Sequence, residues 1–445
     1  GKSFLQAVNV GQGDSYVTWQ NGKTCRIDKP LLDLSARISA RDKAGVQTQI
    51  DKIMAHMHSV SREFCQGAEN VEIDLTAGLD SRTILAILRS TGYPTEKIQS
   101  STIGDENSGD AQTAQYIAKQ YRFSHRCIPS SQPDRDEFLQ HLDLLAYSMN
   151  GDTNGQRAVV NPLPQNNLNQ APHLYGGGGE IYRGYLYPSQ PNQLCAAWSI
   201  PEIACYLTEK FVGRRRQVAV SEELAPLLYE RLQHRIAGYQ TQSSHVADIL
   251  DLFYLHERFA HWGALAVRGS WWSHYFTPFG SPTVIRLAFQ LPAPIGVKQR
   301  LHHSFIKRHL GKAYYWPLIN HETFLPLSQL STTQQRLIQP LQQTYFWVNR
   351  KLAQNNPFLH KSSRNLSQIQ TDAFATSLRD TVRDILLTHN GITSQMLGRK
   401  SGEQIVQNHV GARKSTGQVV GSLLTLERWY AQIKKTAELA SSYHT

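Results

Sequence analysis

Between residues 41 and 149 the hydrophobic positions repeat with two different periods, which predicts helices and strands in alternation. Short apolar runs rich in β-branched residues are typical of strands, whereas apolar residues three and four positions apart indicate one buried face of a helix. Strands are expected at 71–75, 101–104 and 125–129 and a fourth within 173–179, and helices at 41–66, 82–92, 110–121 and 138–149. Strand, loop and helix in this order are typical of a parallel sheet flanked by helices, so the predicted fold class is α/β.

The rest of the chain differs from this central part. The first 24 residues contain two β-rich runs, FLQAVNV and DSYVTW, which predict a short N-terminal β stub. From about residue 196 the pattern is largely helical, and it closes with an amphipathic helix over 419–433. We therefore expect an N-terminal β-rich segment (1–40), an α/β core (41–190) and a largely helical C-terminal part (191–445).

Charge and cysteine usage narrow the class of protein. The 445 residues include 46 Lys and Arg against 35 Asp and Glu, a formal net charge of +11. This excess favours an anionic partner: a nucleotide, RNA, a membrane surface or an acidic peptide. The five cysteines are scattered without a C-x-x-C pair, which argues against a disulfide framework or a Cys-based zinc site and indicates a reducing cytoplasm. No run of about 18 apolar residues occurs, so no membrane span is expected.

The loop TAGLDS (76–81) joins the first strand of the core to a helix. At such a turn the free backbone N–H groups and the helix dipole favour an anion, and Gly78 lets the backbone approach it closely. Thr76 and Ser81 add hydroxyl groups, whereas Asp80 would repel a phosphate unless it holds Mg²⁺ that bridges to the phosphate oxygens. An ordinary strand–helix turn, with Ser81 as part of a cap, is the alternative interpretation.

The segment VEIDLTAGLDSRTILAIL resembles the pyrophosphatase loop S-G-G-x-D-S of N-type ATP pyrophosphatases. It is most similar to the synthetase domain of asparagine synthetases and their relatives, which include β-lactam synthetases and lasso-peptide macrolactam cyclases. The family's later motifs follow in order: STIGDENSGDAQTAQYIAKQYRFSH (101–125), GGGGEIYRGYLYP (176–188), the segment 253–298 and SLLTLERWY (422–430). The resemblance spans about residues 40–430 and implies an adenine nucleotide α-hydrolase-like fold.

The resemblance also implies a reaction and a set of residues. In the family a carboxylate attacks the α-phosphate of ATP, pyrophosphate leaves, and an amine attacks the acyl-adenylate. By position, the residues that would bind ATP and its pyrophosphate are Leu75, Thr76, Ala77, Gly78, Asp80, Ser81, Ile103, Gly104, Gly177 and Gly178. Asp80 and Glu180 would be the Mg²⁺ ligands. Lys298 would stabilise the negative charge that develops during the reaction, with Arg300 as the fallback.

Three positions depart from the family pattern. Ala77 replaces one glycine of the first loop, and Gly179-Glu180 replaces the usual Asp-Glu pair of the second. The general base or orienting residue of the family aligns with Gly176, so we expect Glu180 and the neighbouring Tyr175 to share the catalytic roles with Lys298. These departures argue against plain asparagine synthesis more than against acyl-adenylate formation.

The source of the amine follows from the N-terminal segment. Glutamine-hydrolysing relatives carry a catalytic Cys at position one, whereas this chain starts with Gly1 and its first cysteine is Cys25. The expected amine is therefore free ammonia, an amine supplied by a partner, or an amine of the acceptor itself, as in macrolactam cyclases. Expected partners are ATP, a small-molecule or peptide substrate carrying the carboxylate and amine, and a peptide or leader-binding protein.

Two other functions stay open. A tRNA-modifying ATP pyrophosphatase would suit the positive charge, but the late motifs resemble the amide-forming branch more closely and no RNA-binding module accompanies the basic clusters. A nucleotide-binding protein without catalysis would explain the missing carboxylate and base.

Two pairs of histidines are not expected to bind a metal ion. His256 and His261 are spaced to lie on different faces of a helix, and so are His56 and His58.

Overall fold

A computed structural model describes most of the central chain and parts of both ends. The residues described are 15–20, 23–28, 32, 34, 37–129, 133–149, 151, 153–159, 171–187, 198–211, 224–259, 274–293, 299–311, 340–341, 344, 373–374, 376–388, 391–397, 399–410 and 417–442. Near the N-terminus, β1 (Ser15–Gln20) pairs with β2 (Lys23–Asp28) in an antiparallel hairpin. The strand predicted from DSYVTW is confirmed as β1, β2 was not predicted, and FLQAVNV lies outside the described residues.

A parallel sheet forms the centre of the molecule, as predicted. Its strands are β3 (Val71–Asp74), β4 (Ile98–Ile103), β5 (Ser124–Ile128), β6 (His173–Leu174) and β7 (Tyr275–Phe276), in the order β5-β4-β3-β6-β7. All neighbouring pairs are parallel. Because β3 is central and followed directly by the loop 76–81, that loop lies at the carboxyl edge of the sheet, where ligands of open α/β sheets bind.

Helices pack around the sheet and form the C-terminal part. They are α1 (Lys43–Phe64), α2 (Leu79–Ser90), α3 (Gly109–Tyr121), α4 (Arg135–Ser148), α5 (Ile200–Phe211), α6 (Leu224–Gln240), α7 (Val246–Phe253), α8 (Pro282–Phe289), α9 (Arg300–Leu310), α10 (Arg379–Leu386), α11 (Ile392–Leu397), α12 (Arg399–Val410) and α13 (Gly417–Ser442). Short 3₁₀ turns lie at Thr95–Lys97, Gly155–Val159, Gly179–Arg183 and Pro278–Gly280, and a π-helix at Tyr254–Phe259.

Side-chain caps fix where several helices begin. Asp42 accepts a hydrogen bond from Gly45 N–H before α1, Ser108 accepts one from Ala111 N–H before α3, and Asp134 caps α4 in the same way. Such caps satisfy N–H groups that lack a partner inside the helix. The helix α2 has no side-chain cap, which leaves the amides of its first turn available.

Two hydrophobic cores hold these elements together. The first joins the sheet to α1, α2 and α9, and nearly all of α2 is buried in it, with Ile84 and Leu85 fully inaccessible. The second joins α4 to the C-terminal helices α10–α13 through residues such as Phe138 and Phe374. Two contacts cross the predicted boundary at residue 190: β7, which follows that residue, belongs to the central sheet, and α4, which precedes it, packs with the C-terminal helices. The division of the chain at residues 40 and 190 stays a prediction. Among the described helices, none is both long and apolar enough to span a membrane.

Candidate active site

The loop between β3 and α2 is folded back on itself by its two hydroxyl side chains. Thr76 N–H donates to Ser81 Oγ at 3.1 Å, and Gly78 N–H donates to Thr76 Oγ1 at 3.0 Å. The two hydroxyl oxygens are 3.1 Å apart. Gly78 is the N-cap residue of α2, is extended and contributes no side-chain hydrogen bond to the helix. The first amides of α2 consequently have no acceptor within the helix.

Asp110, in the first turn of α3, holds the loop 76–81 by a hydrogen bond. Ala77 N–H donates to Asp110 Oδ1 at 3.0 Å. Arg82, in the first turns of α2, is only 1% exposed. Burial lowers the pKa of Arg82 to about 10, against the opposing effect of the Asp110 charge, so Arg82 stays protonated at neutral pH. The start of α2 therefore contains a buried positive charge that Asp110 balances.

The glycine-rich loop after β6 approaches Asp80 so closely that larger side chains would not fit. A Cβ atom at Gly179 would lie 2.2 Å from Asp80 Oδ1, and one at Gly176 would lie 2.9 Å from Asp80 Cβ. Gly178 has a φ of +89°, a left-handed conformation that residues with a Cβ atom rarely adopt. The structure thus brings the two predicted loops, 76–81 and 176–179, into contact around Asp80.

Asp80 is the centre of a cluster of charged and polar side chains. Arg183 Nη2 donates to Asp80 Oδ2 at 2.8 Å. On the other side, Nε2 of the fully buried His302 lies 2.9 Å from Asp80 Oδ1 without forming an aligned hydrogen bond. The His302 ring stacks on Phe279 with 5.4 Å between the ring centroids. Both oxygens of the Asp80 carboxylate are therefore contacted by nitrogen atoms.

Glu180 is the second carboxylate of this cluster. Its Oε2 atom is buried and has no hydrogen-bond partner among the described residues. Burial raises the pKa of Glu180 and the negative charge of Asp80 raises it further, whereas Arg183 and Arg258 lower it. A carboxylate with a raised pKa and an oxygen that has no hydrogen-bond partner is a suitable proton acceptor.

These residues do not fit a magnesium ion in this arrangement. Mg²⁺ demands near-octahedral oxygen ligands, usually one or two carboxylates together with phosphates and water. Both Asp80 oxygens already contact Arg183 or His302. In the part of the chain that the structure describes, no group of three or more His, Cys, Asp and Glu residues could hold a metal. The predicted role of Asp80 and Glu180 as metal ligands stays a prediction that the geometry does not favour.

Tyr175 lies between β6 and the glycine-rich loop. Its backbone N–H donates to Phe276 O at 3.1 Å, and its ring packs edge-on against Tyr275 with 5.9 Å between the centroids. Burial, followed by the charges of Asp74 and Glu180, raises the pKa of the Tyr175 hydroxyl. Tyr175 is therefore protonated at neutral pH, which suits a hydrogen-bond donor and does not suit a general base.

The residues expected to bind adenine lie at the ends of β3 and β4. Leu75 is fully buried, and its carbonyl accepts a hydrogen bond from Thr102 Oγ1 at 2.5 Å. Ile103 is 37% exposed, and Gly104 follows it with a φ of +134°. The accessible side chain of Ile103 and the backbone of Gly104, which has no side chain, could pack against the flat adenine ring. The assignment of these residues to adenine stays a prediction.

A known protein family matches the part of the chain that contains this candidate site. Residues 57–306 match the asparagine synthase family model, which is more than half of the chain. The chain belongs to the asparagine synthase family. Members of this family are ATP-dependent ligases that generally use Mg²⁺ with ATP, and this chain is an enzyme of that class. No curated protein sequence matches the chain.

The matched range of the asparagine synthase family includes the two loops, the helix α9 and both candidate cations. Lys298 lies outside the described residues. Arg300, its fallback, is the first residue of α9 and half-buried. Since His302 of the same helix reaches Asp80, the start of α9 lies close to the loop 76–81.

The sequence prediction missed three residues that shape this asparagine synthase-type site. Arg183 lies within the matched segment 176–188 but was given no role, although its spacing from Glu180 places both on one side of a 3₁₀ turn. Asp110 was recognised as part of a motif but given no role. His302 carries no local signal, because its place depends on how α9 packs against α2.

The histidine pairs that the sequence interpretation set aside have separate partners. His56 Nε2 lies 3.2 Å from Ser281 Oγ, whereas His58 Nδ1 lies 3.2 Å from Ser90 Oγ. His256 stacks on Tyr239 with 5.7 Å between the centroids, and His261 lies outside the described residues.

Proposed function

We propose that this protein is an AMP-forming carbon–nitrogen ligase. It activates a carboxylate with ATP as an acyl-adenylate, releases pyrophosphate and joins the acyl group to an amine. The observation that carries this proposal is the uncapped, buried start of α2 at the carboxyl edge of the sheet, in a chain of the asparagine synthase family.

The pyrophosphate of ATP would bind at the start of α2. The amides of Leu79, Asp80 and Ser81 have no acceptor within the helix, and the helix dipole adds positive potential at the same place. A negative Asp80 side chain would oppose such an anion, but Arg183 neutralises it through a 2.8 Å hydrogen bond. Backbone N–H groups and the dipole at the start of a helix can bind phosphates without a lysine side chain in the loop.

Proton transfer in the second step is assigned to Glu180. The amine nitrogen attacks the carbonyl carbon of the acyl-adenylate, the bond from that carbon to the AMP oxygen breaks, and the nitrogen loses a proton. Glu180 accepts this proton, since its raised pKa makes it more basic than an exposed glutamate. Tyr175 orients the substrate as a hydrogen-bond donor, and Lys298, or Arg300 in its place, stabilises the developing negative charge.

Exchange of labelled pyrophosphate into ATP, in the presence of candidate carboxylates, tests the assignment of the loop. The double variant Thr76→Val with Ser81→Ala removes both hydroxyls that fold the loop, and exchange should fall by about a hundredfold. The control is Thr91→Val at the opposite end of α2, where the hydroxyl donates to Leu88 O, and it should keep the exchange. Equal exchange in both variants would show that pyrophosphate binds elsewhere.

The specific form of the reaction that we favour is closure of a peptide macrolactam. Here one substrate carries both the carboxylate and the amine, as in the lasso-peptide cyclases that the sequence resembles. Mass spectrometry of candidate peptides should then show a product lighter by one water, formed with AMP. A product in which an amino group has instead replaced the carboxyl hydroxyl would identify amidation with ammonia.

A further inference from the structure

Arg183 contacts both carboxylates of the candidate site with one nitrogen. Its Nη2 atom lies 2.8 Å from Asp80 Oδ2 and 3.9 Å from Glu180 Oε1. Arg183 and Glu180 belong to the same 3₁₀ turn, Gly179–Arg183, which places the two side chains together. The guanidinium side chain is 21% exposed, as is the carboxylate of Asp80, so this is a partly desolvated ion pair rather than a surface contact.

The surroundings hold Asp80 in this position. Gly176 and Gly179 leave space that the Asp80 side chain fills, since a Cβ atom at Gly179 would overlap its Oδ1 atom at 2.2 Å. His302, fixed by stacking on Phe279, closes the other side of the carboxylate at 2.9 Å. Turning Asp80 towards a different cation would break these contacts on both oxygens at once.

We propose that the Arg183 guanidinium is the resident cation of the Asp80–Glu180 pair and takes the position where a protein-bound divalent ion would otherwise lie. A guanidinium offers several hydrogen-bond donors in a fixed plane, which matches the oxygens of a carboxylate. The Nε atom of Arg183 is buried and has no acceptor among the described residues.

The consequence for nucleotide binding rests on the proposed function. Arg183 cancels the charge of Asp80 next to the start of α2, so the phosphates can approach without a metal ligated by these two carboxylates. Arg183 acts here as a positioning residue for the acid pair. Metal that accompanies ATP would then be held by phosphates and water, and binding of free divalent ions to the protein itself would be weak.

Binding of Mn²⁺ alone, without nucleotide, tests this proposal. Electron paramagnetic resonance of free Mn²⁺ measures how much of the ion the protein removes from solution. The wild-type protein should show no binding that depends on Asp80. Arg183→Met should bind Mn²⁺ about tenfold more tightly or better, because a charge-assisted hydrogen bond no longer competes with the ion. Adding Asp80→Asn to this variant should abolish the gain.

Controls separate this role from a merely structural one. Arg126→Gln removes another arginine–carboxylate contact, the 3.3 Å pair with Glu72 on the exposed side of the sheet, and should not create Mn²⁺ binding. Arg183→Lys keeps the positive charge and should also bind no Mn²⁺. Thermal melting of each variant verifies that it is folded.

Two results would overturn the proposal. One is Mn²⁺ binding by the wild-type protein that Asp80→Asn removes, a result that does not depend on whether the Arg183 variants fold. The other is a folded Arg183→Met protein with no gain in Mn²⁺ affinity. If Arg183→Met gains a Mn²⁺ site while the wild-type protein binds no ATP, the proposed function fails and the role of Arg183 stands.

Discussion

His173 connects the central strand of the sheet to the strand that carries the glycine-rich loop. On β6, its Nε2 atom lies 2.9 Å from Asp74 Oδ1 and its Nδ1 atom 3.5 Å from Glu72 Oε2, both on β3. The ring stacks on Tyr275 of β7 with 4.3 Å between the centroids. Burial lowers the pKa of His173, but hydrogen bonds to Asp74 and Glu72 outweigh it and raise the pKa to about 9.

This pKa predicts how much the charged histidine stabilises the fold. A rise from 6.5 in the unfolded chain to about 9 in the folded protein corresponds to about 3 kcal/mol. Solvent around Asp74, whose side chain is 47% exposed, screens part of this, so about 2–3 kcal/mol is expected. Because the folded state binds the proton more tightly, this stabilisation is complete below pH 6.5 and is lost as the pH rises through 9.

Replacement of His173 by Gln keeps a hydrogen-bond donor and removes the titration. Urea unfolding of both proteins between pH 6.5 and 9.5 gives the difference in free energy of unfolding, which should shrink by about 2–3 kcal/mol over that range. His58→Gln is the control for the loss of a histidine as such, since the described hydrogen-bond partner of His58 is the Ser90 hydroxyl and not a carboxylate. A pH dependence that is identical in wild type and His173→Gln would refute the reasoning.

Three further predictions concern the site itself. Asp110→Ala should weaken ATP binding about tenfold, measured by calorimetry, because the loop amide that Asp110 holds loses its acceptor. As the pH is lowered, activity should fall at a pH above the ordinary pKa of glutamate, because burial and Asp80 raise the pKa of Glu180. Glu180→Gln should remove this acidic limb of the pH–rate profile, and a limb that persists would exclude Glu180 as the base. Gly179→Ala should destabilise the fold by about 1–3 kcal/mol, since its Cβ atom would overlap Asp80 Oδ1. Gly238→Ala, where no atom lies within 4 Å of the new Cβ, is the control and should be neutral or stabilising in thermal melts.

Local patterns predicted the long elements of the α/β core correctly. The helix predicted over 110–121 is α3, Gly109–Tyr121, because its buried residues recur at helical spacing on one face. The strand predicted over 125–129 is β5, Ser124–Ile128. The start of α2 was placed three residues too late, at 82 instead of Leu79. The last residues of TAGLDS look like a loop by composition, but the bond between Thr76 N–H and Ser81 Oγ closes them into the first helical turn.

Elements that depend on distant contacts could not be predicted in this way. The strand β7 has only two residues, Tyr275–Phe276, and exists because it pairs with β6. Within the site, the residues that the family resemblance assigns to ATP come from the loops 76–81 and 176–179, and the structure places these two loops in contact around Asp80. The partners of Asp80 were missed, because His302 reaches it from a helix far along the chain and Arg183 from the turn after the glycine-rich loop, and both contacts depend on how these elements pack.

We propose that this asparagine synthase family member forms AMP from ATP while activating a carboxylate. The most direct measurement uses ATP labelled at the α-phosphate, a panel of carboxylates and peptides, and hydroxylamine as a general amine that traps acyl-adenylates, together with calorimetry of ATP binding. The account predicts ATP binding, labelled AMP, pyrophosphate and a hydroxamate of the activated carboxylate, all lost in the Thr76→Val, Ser81→Ala variant. Formation of labelled ADP instead of AMP, or the absence of ATP binding, would contradict it.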